Sequence, residues 1–196
     1  MEEPEPTHVL PKGIQLAELA RRKRELDLPR ILGDTPALLF RPLGEGEASL
    51  YMTPSEGTEL GGGYPSADET SVLHAGEAPL GGSLEQAVIV VLTPTSRNLL
   101  EDQVVVGRGL ENDIRLISPQ VSKVHARFID EDGEWKLQDE GSSNGTRING
   151  VRLEPNRPYG LRPGDEIVLG DVVVLYLDAE GLLALTRLVT PAQEID

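Results

Sequence analysis

Three short stretches hold most of the side chains able to do chemistry in this chain: VVVGRGLENDI (104–114), ISPQVSKVHARF (117–128) and GSSNGTRING (141–150). In the first, Arg108 stands between Gly107 and Gly109. The glycines permit a sharp exit from a strand, and the guanidinium offers five N–H donors in a planar fork. The second places Ser122, Lys123 and His125 directly before an apolar run, and the third clusters Ser142, Ser143, Asn144, Gly145 and Thr146, with Asn149-Gly150 four residues on. Gathered at one rim, these groups would make a pocket rich in donors, with no general base beside a nucleophile. Such a pocket suits a dianion with three acceptor oxygens, of which a phosphorylated Ser or Thr is one. Taken singly, each residue has a plainer role. Arg108 could pair with Glu111 or Asp113, Ser122 could shape a turn, and Asn144 could be the positive-φ residue of a hairpin.

The elements that must carry these loops are strands. After Ser83 the chain runs AVIVVL, NLLE, QVVVG, DIRLI, VHARFID, EWKLQD, EIVLG and VVVLYLD, separated by turn or charged residues at intervals of about ten. That spacing predicts an all-β, antiparallel sandwich. AVIVVL and VVVLYL have the continuous apolar character of strands covered on both faces, whereas VHARF and EWKLQ alternate and face water on one side. No helix of ten residues is legible in this half. Upstream, IQLAELARRKREL predicts a short helix over 14–26, stopped by Pro29, either a solvated face or a docking helix. TPALLF (35–40) is a short apolar patch. Residues 41–83 recur in Gly and Pro and read as a disordered linker, which cannot bury enough apolar surface to offset its ordering entropy. The expected organisation is an N-terminal extension (1–83), one domain (84–189) and a short C-terminal tail (190–196).

GR, then SxxH, then SxNGTxxNG, in this order with strands between, resembles the forkhead-associated (FHA) domain, a reader of phosphothreonine peptides. The resemblance covers about residues 84–189, and LRPGDEIVLG is similar to the family's penultimate turn and strand. It implies an FHA-type sandwich of about 11 strands behind a mostly disordered tail. It also implies that Arg108 and Ser122 contact the phosphate, that Lys123 adds charge, that Ser143 offers a second hydroxyl and that Asn144 grips the ligand backbone. Gly107, His125, Gly145 and Asn149 are then structural support. The family prefers threonine because its γ-methyl enters a small apolar notch.

A net charge of −15, from 33 acidic and 18 basic residues, gives no basic face for nucleic acid or anionic membrane. There are no cysteines, and the three histidines have no ligand-like spacing, so no metal or other cofactor is expected. No GxxxxGK[ST], GxSxG or HExxH motif occurs, which points away from an enzyme. MEEPEP is no secretory signal, and no run approaches the roughly 20 apolar residues of a membrane helix. The expected compartment is the cytoplasm. The expected partner is a phosphothreonine-bearing kinase or kinase substrate. The alternative is a phosphate-independent scaffold using the sandwich or the 14–26 helix. Within the linker, ADETSVLHAG sets Thr70 after Asp68 and Glu69, similar to the tail motif of short actinobacterial FHA regulators of 2-oxoglutarate metabolism, whose domain binds its own phosphorylated tail. Thr70 is thus a candidate phosphorylation site. About 14 residues separate it from the domain, a root-mean-square span of about 20 Å.

Overall fold

The computed structural model describes residues 13–22, 27–40, 84, 87–95, 98, 100 and 102–189, together with the backbone of 48–52 and 73–75. Thr70, residues 23–26 of the expected helix, most of the expected linker and the 190–196 tail lie outside the described residues.

The N-terminal strands are β1 (Gly13–Gln15), β2 (Ala37–Phe40), β3 (Ala48–Met52) and β4 (Leu73–Ala75). The expected domain contributes β5 (Val88–Val91), β6 (Gln103–Gly107), β7 (Ile114–Ile117), β8 (Ala126–Glu131), β9 (Glu134–Asp139), β10 (Thr146–Ile148), β11 (Val151–Arg152), β12 (Pro158–Gly160), β13 (Glu166–Leu169) and β14 (Val172–Leu177). Three helices accompany them among the described residues: α1 (Leu16–Arg22), α2 (Leu28–Leu32) and α3 (Ala179–Leu188). The strands form two seven-stranded sheets, β1-β5-β2-β14-β13-β10-β11 and β12-β9-β8-β6-β7-β3-β4. The pairings are antiparallel except β6 with β7, which run parallel at Val106↔Ile114 and Gly107↔Arg115.

The alternating strands behave as their pattern predicts. On β9, Trp135 and Leu137 are buried while Lys136 and Gln138 are partly exposed, and β8 buries Ala126 and Phe128 in the same way. These side chains meet Val104, Val106, Ile167, Leu169 and Val174 in the core between the sheets.

Several expectations need correction. Among the described residues the expected domain holds ten strands, close to the expected 11, and the segment before residue 84 adds four more to the two sheets. The patch at 35–40 is a central strand. Ala37–Phe40 lies between β5 and β14, in register with Val88–Val91 on one side and Val174–Leu177 on the other. All four of its residues are buried. Leu38 points into the inter-sheet core, and Leu39 points outward into a second core made by Leu16, Leu19, Leu28, Leu32, Ile89 and Leu182. That second core exists because α1, α2 and α3 cover the outer face of the first sheet, which explains why β5 is apolar throughout.

The predicted 14–26 helix is split. Its first residues pair as β1 with β5, and the helix proper covers Leu16–Arg22. A second helix then opens on the Asp27 cap, whose carboxylate accepts from Arg30 N at 3.3 Å. The ten-residue α3 was not expected. Asp178 caps it, accepting from Gly181 N at 2.7 Å, and Leu182 and Thr186 are buried on its inner face. Finally, NLLE is not a strand at its described residues Asn98 and Leu100. Asn98 instead donates from Nδ2 to Asp113 Oδ2 at 2.7 Å.

Candidate functional site

Three connections meet at one edge of the sandwich: β6–β7 (108–113), β7–β8 (118–125) and β9–β10 (140–145). Backbone bonds tie the first two together. Arg108 N donates to Ser122 O at 2.8 Å, and Gly109 N donates to Lys123 O at 2.9 Å. The approach is close enough that a Cβ on Gly107 would fall on the Lys123 carbonyl, which is the physical need for glycine there. Asn112, buried beneath, donates from Nδ2 to both Lys123 O (2.6 Å) and Gly109 O (3.0 Å).

The second and third connections are joined through the residues expected to bind. Ser143 N donates to Ser122 Oγ at 3.0 Å, and the two hydroxyl oxygens lie 3.5 Å apart. Asn144 donates from Nδ2 to Gln120 O (2.8 Å) and Gln120 Oε1 (2.7 Å). Asn144 does not take positive φ; Gly145 does, at +81°. The 144–145 turn links strands of different sheets and is no hairpin, whereas Asn149 (φ +50°) and Gly150 (φ +79°) do form one between β10 and β11.

His125 sits beneath this junction, fully buried. Its Nδ1 accepts from Ser122 N at 3.1 Å, and Nε2 lies 3.4 Å from Gly145 O, so the neutral tautomer with the proton on Nε2 satisfies both loops. Burial lowers its pKa below the ordinary 6.5, opposed by the Gly145 bond and the charges of Asp139 and Asp171. Asp139 braces the third loop, accepting from Ser142 Oγ and Thr146 Oγ1, each at 2.6 Å. Burial pushes its pKa up, but the bonds from Ser142 and Thr146 outweigh it and hold the carboxyl below 3.8. Asn149 stitches a more distant turn, donating to Asp165 Oδ1 (2.7 Å) and accepting from Glu166 N (2.9 Å).

Arg108, Lys123, Ser143 and Asn144 are exposed at this rim, with Ser122 half-buried. Among the described residues neither Arg108 nor Lys123 joins an ion pair. Glu111 therefore does not hold Arg108. Asp113 is occupied elsewhere, accepting from Thr95 N and Oγ1 (2.6 and 2.7 Å), Asn98 Nδ2 (2.7 Å) and Val105 N (2.8 Å). The guanidinium is instead steadied through Nε by Val121 O at 3.3 Å. Sequence reasoning missed Gln120 and Asn112, and it considered Asp113 only as a partner for Arg108. Only Asn112-Asp113, as short polar residues ahead of an apolar strand, carried a local signal.

Among the described residues no three His, Cys, Asp or Glu side chains cluster to hold a metal ion, and no helix is long and apolar enough to cross a membrane.

Residues 104–170 match the family model of the FHA domain. The oxoglutarate dehydrogenase inhibitor of Corynebacterium efficiens is 41% identical over 71 residues, 36% of this chain and 48% of that protein. The chain spans about half the length of that relative, and 16% of an FHA domain-containing protein of Arabidopsis thaliana that is 40% identical over 60 residues. Among solved structures, EmbR of Mycobacterium tuberculosis in complex with a low-affinity phosphopeptide is 30% identical over 40% of this chain and 20% of that one, with a TM-score of 0.37.

Proposed function

We propose that this chain, which carries an FHA domain between residues 104 and 170, binds phosphothreonine peptides and serves as a non-enzymatic adaptor in Ser/Thr-kinase signalling in the cytoplasm. The observation that carries the reading is the junction of the three loops. Ser122 Oγ, Ser143 Oγ and the backbone of Arg108 are locked together by direct hydrogen bonds, and the Arg108 guanidinium and Lys123 ammonium, exposed at the same rim, join no ion pair among the described residues. A phosphate dianion there takes the Arg108 fork, the two hydroxyls and the Lys123 charge on its free oxygens. Asn144, whose NH₂ is spent on Gln120, offers its carbonyl oxygen to a ligand N–H. Among the described residues neither serine hydroxyl bonds to a His, Asp or Glu side chain. His125 uses Nδ1 on the Ser122 backbone and Nε2 on Gly145. The net charge of −15 does not oppose this, because screening confines each charge to about 8 Å at physiological salt.

The scaffold alternative loses its docking helix. The apolar residues of α1, Leu16, Leu19 and Ala20, are buried within the chain's own fold. We extend the reading to the chain's own Thr70 as a kinase target and competing ligand, supported by the acidic Asp68-Glu69 before it and the short tether to the domain.

Titration of the full chain with one peptide in threonine, phosphoserine and phosphothreonine forms tests the proposal. The phosphothreonine form binds strongly and the other two far more weakly. Arg108→Ala costs about 2–4 kcal/mol, roughly 30- to 700-fold. Equal affinity for the threonine and phosphothreonine forms overturns it.

A further inference from the structure

Two arginines that the phosphate site does not use stand next to it. Arg147 on β10 is directly opposite Arg152 on β11. Directly opposed residues share one face with Cβ atoms about 5 Å apart, and like charges there are destabilising. Among the described residues neither arginine side chain forms a hydrogen bond or an ion pair, in a chain with 33 acidic and 18 basic residues. Fold stability therefore gives no reason for the pair.

Its position does. A Cβ built on Gly145 would stand 2.6 Å from Arg152 Nη2 and 2.8 Å from Nε, so the guanidinium occupies the space a side chain at 145 would fill. Gly145 adjoins Asn144, and its carbonyl is held by His125 Nε2 (3.4 Å) and Gly170 N (3.3 Å). Arg152 thus rests on a fixed piece of backbone one residue from the proposed ligand-gripping amide. The buried Thr146 points inward, so Arg147 projects from the same outer face.

We infer that Arg152, with Arg147, forms a specificity contact for an acidic side chain of the bound chain, so that the preferred ligand carries Asp or Glu near its phosphothreonine. The inference rests on the phosphothreonine reading above. Both arginines are solvent-accessible, so the gain is modest and sensitive to salt.

The test uses the full chain and a phosphothreonine peptide in an alanine background, with a single Asp walked through four positions on each side and binding read by fluorescence anisotropy. One or two positions tighten binding about two- to fivefold, as for exposed ion pairs. That gain disappears in Arg152→Gln, survives in part in Arg152→Lys, shrinks in Arg147→Gln and collapses in high salt. The melting temperature of Arg152→Gln holds or rises, because an opposed like charge is gone. A flat Asp scan, or a gain that survives Arg152→Gln, overturns the inference and leaves phosphothreonine binding standing. Equal loss of affinity for the acidic and all-alanine peptides also overturns it, since that assigns Arg152 to loop shape alone. If no phosphopeptide binds, both readings fall.

Discussion

Replacing Leu39 with Ala probes whether the segment before residue 84 is part of the fold or an appendage to it. Leu39 is 1% exposed, pairs with Ile89 and Leu175 across both neighbouring strands, and faces the helical layer. Truncating a leucine so enclosed costs about 2–5 kcal/mol, the transfer of the lost atoms plus the cavity left behind. For a chain of this size each kcal/mol lowers the melting temperature by about 2–4 °C, so the expected drop is about 4–20 °C. Leu38→Ala, on the opposite face of the same strand and wholly buried, falls by a similar amount. Val173→Ala, 39% exposed, stays within about 0.5 kcal/mol of the parent. Circular dichroism melts and urea titrations of the full-length variants decide the matter. A chain beginning at residue 84 loses β2 from between β5 and β14, exposing two ladders at once. Against a usual total stability of about 5–15 kcal/mol, it should not unfold cooperatively. If Leu39→Ala melts with the parent while Leu38→Ala falls, or the shortened chain melts within a few degrees of the full one, the helical layer and the central place of β2 are wrong.

Gln120→Ala removes one of the two acceptors of the Asn144 amide and leaves the other, Gln120 O. Phosphopeptide affinity should fall a few-fold with little change in melting temperature, and an unchanged affinity refutes the positioning role. Asp113→Ala strands the donors of Thr95, Asn98 and Val105 in a buried site, at about 1–3 kcal/mol for a lost partner, readable in urea unfolding. His125 sets a pH dependence. Its folded pKa is depressed, so its contribution to stability is full above about 6.5 and declines as pH falls below that toward the depressed value. Melts from pH 7.5 to 5 should show that slope, and His125→Asn should flatten it. Protonating Nδ1 also removes the acceptor of Ser122 N, so phosphopeptide affinity of the folded chain should hold near pH 6.5 and weaken only as pH falls through the depressed folded value. Phosphorylating Thr70 in the full chain should move the amide resonances of Arg108, Ser122 and Asn144. Resonances that stay fixed exclude self-docking.

What was legible in the sequence divides by the range of the contact that determines it. Alternation along EWKLQ and HARF is a local pattern, and the faces of β8 and β9 follow it. Arg108, Ser122 and Asn144 were conspicuous because polar side chains concentrated between apolar strands have no use in a core. Leu38 and Leu39 gave no such signal. A four-residue apolar run does not distinguish strand from helix, and nothing nearby says that it pairs with residues about fifty and a hundred and forty positions downstream. α3 was hidden differently. Gly181 in its first turn lowers helix propensity, and it follows the apolar run of β14, although Asp178 as cap with Leu182 and Thr186 four residues apart was a usable sign.

The same division explains why the groups that hold the three loops together were missed while those exposed at their junction were noticed. An exposed polar side chain between apolar strands displays its chemistry in its identity. Gln120, Asn112 and Asp113 act through the backbone atoms they hold, namely the Asn144 amide, the Lys123 carbonyl and the Val105 N–H, and that depends on loops folded against one another. Gly145 shows both at once. Its φ of +81° suits a turn glycine, which the sequence declares, but the Arg152 guanidinium filling the place of its side chain is visible only when β10 and β11 are paired. A substitution at 145 therefore has two separable costs, backbone strain and displacement of Arg152. Gly145→Ala should lower both stability and peptide affinity, and Gly145→Ala combined with Arg152→Ala should recover part of the stability without restoring any preference for acidic peptides. If the second change rescues nothing, displacement of Arg152 is not part of the cost of a side chain at 145.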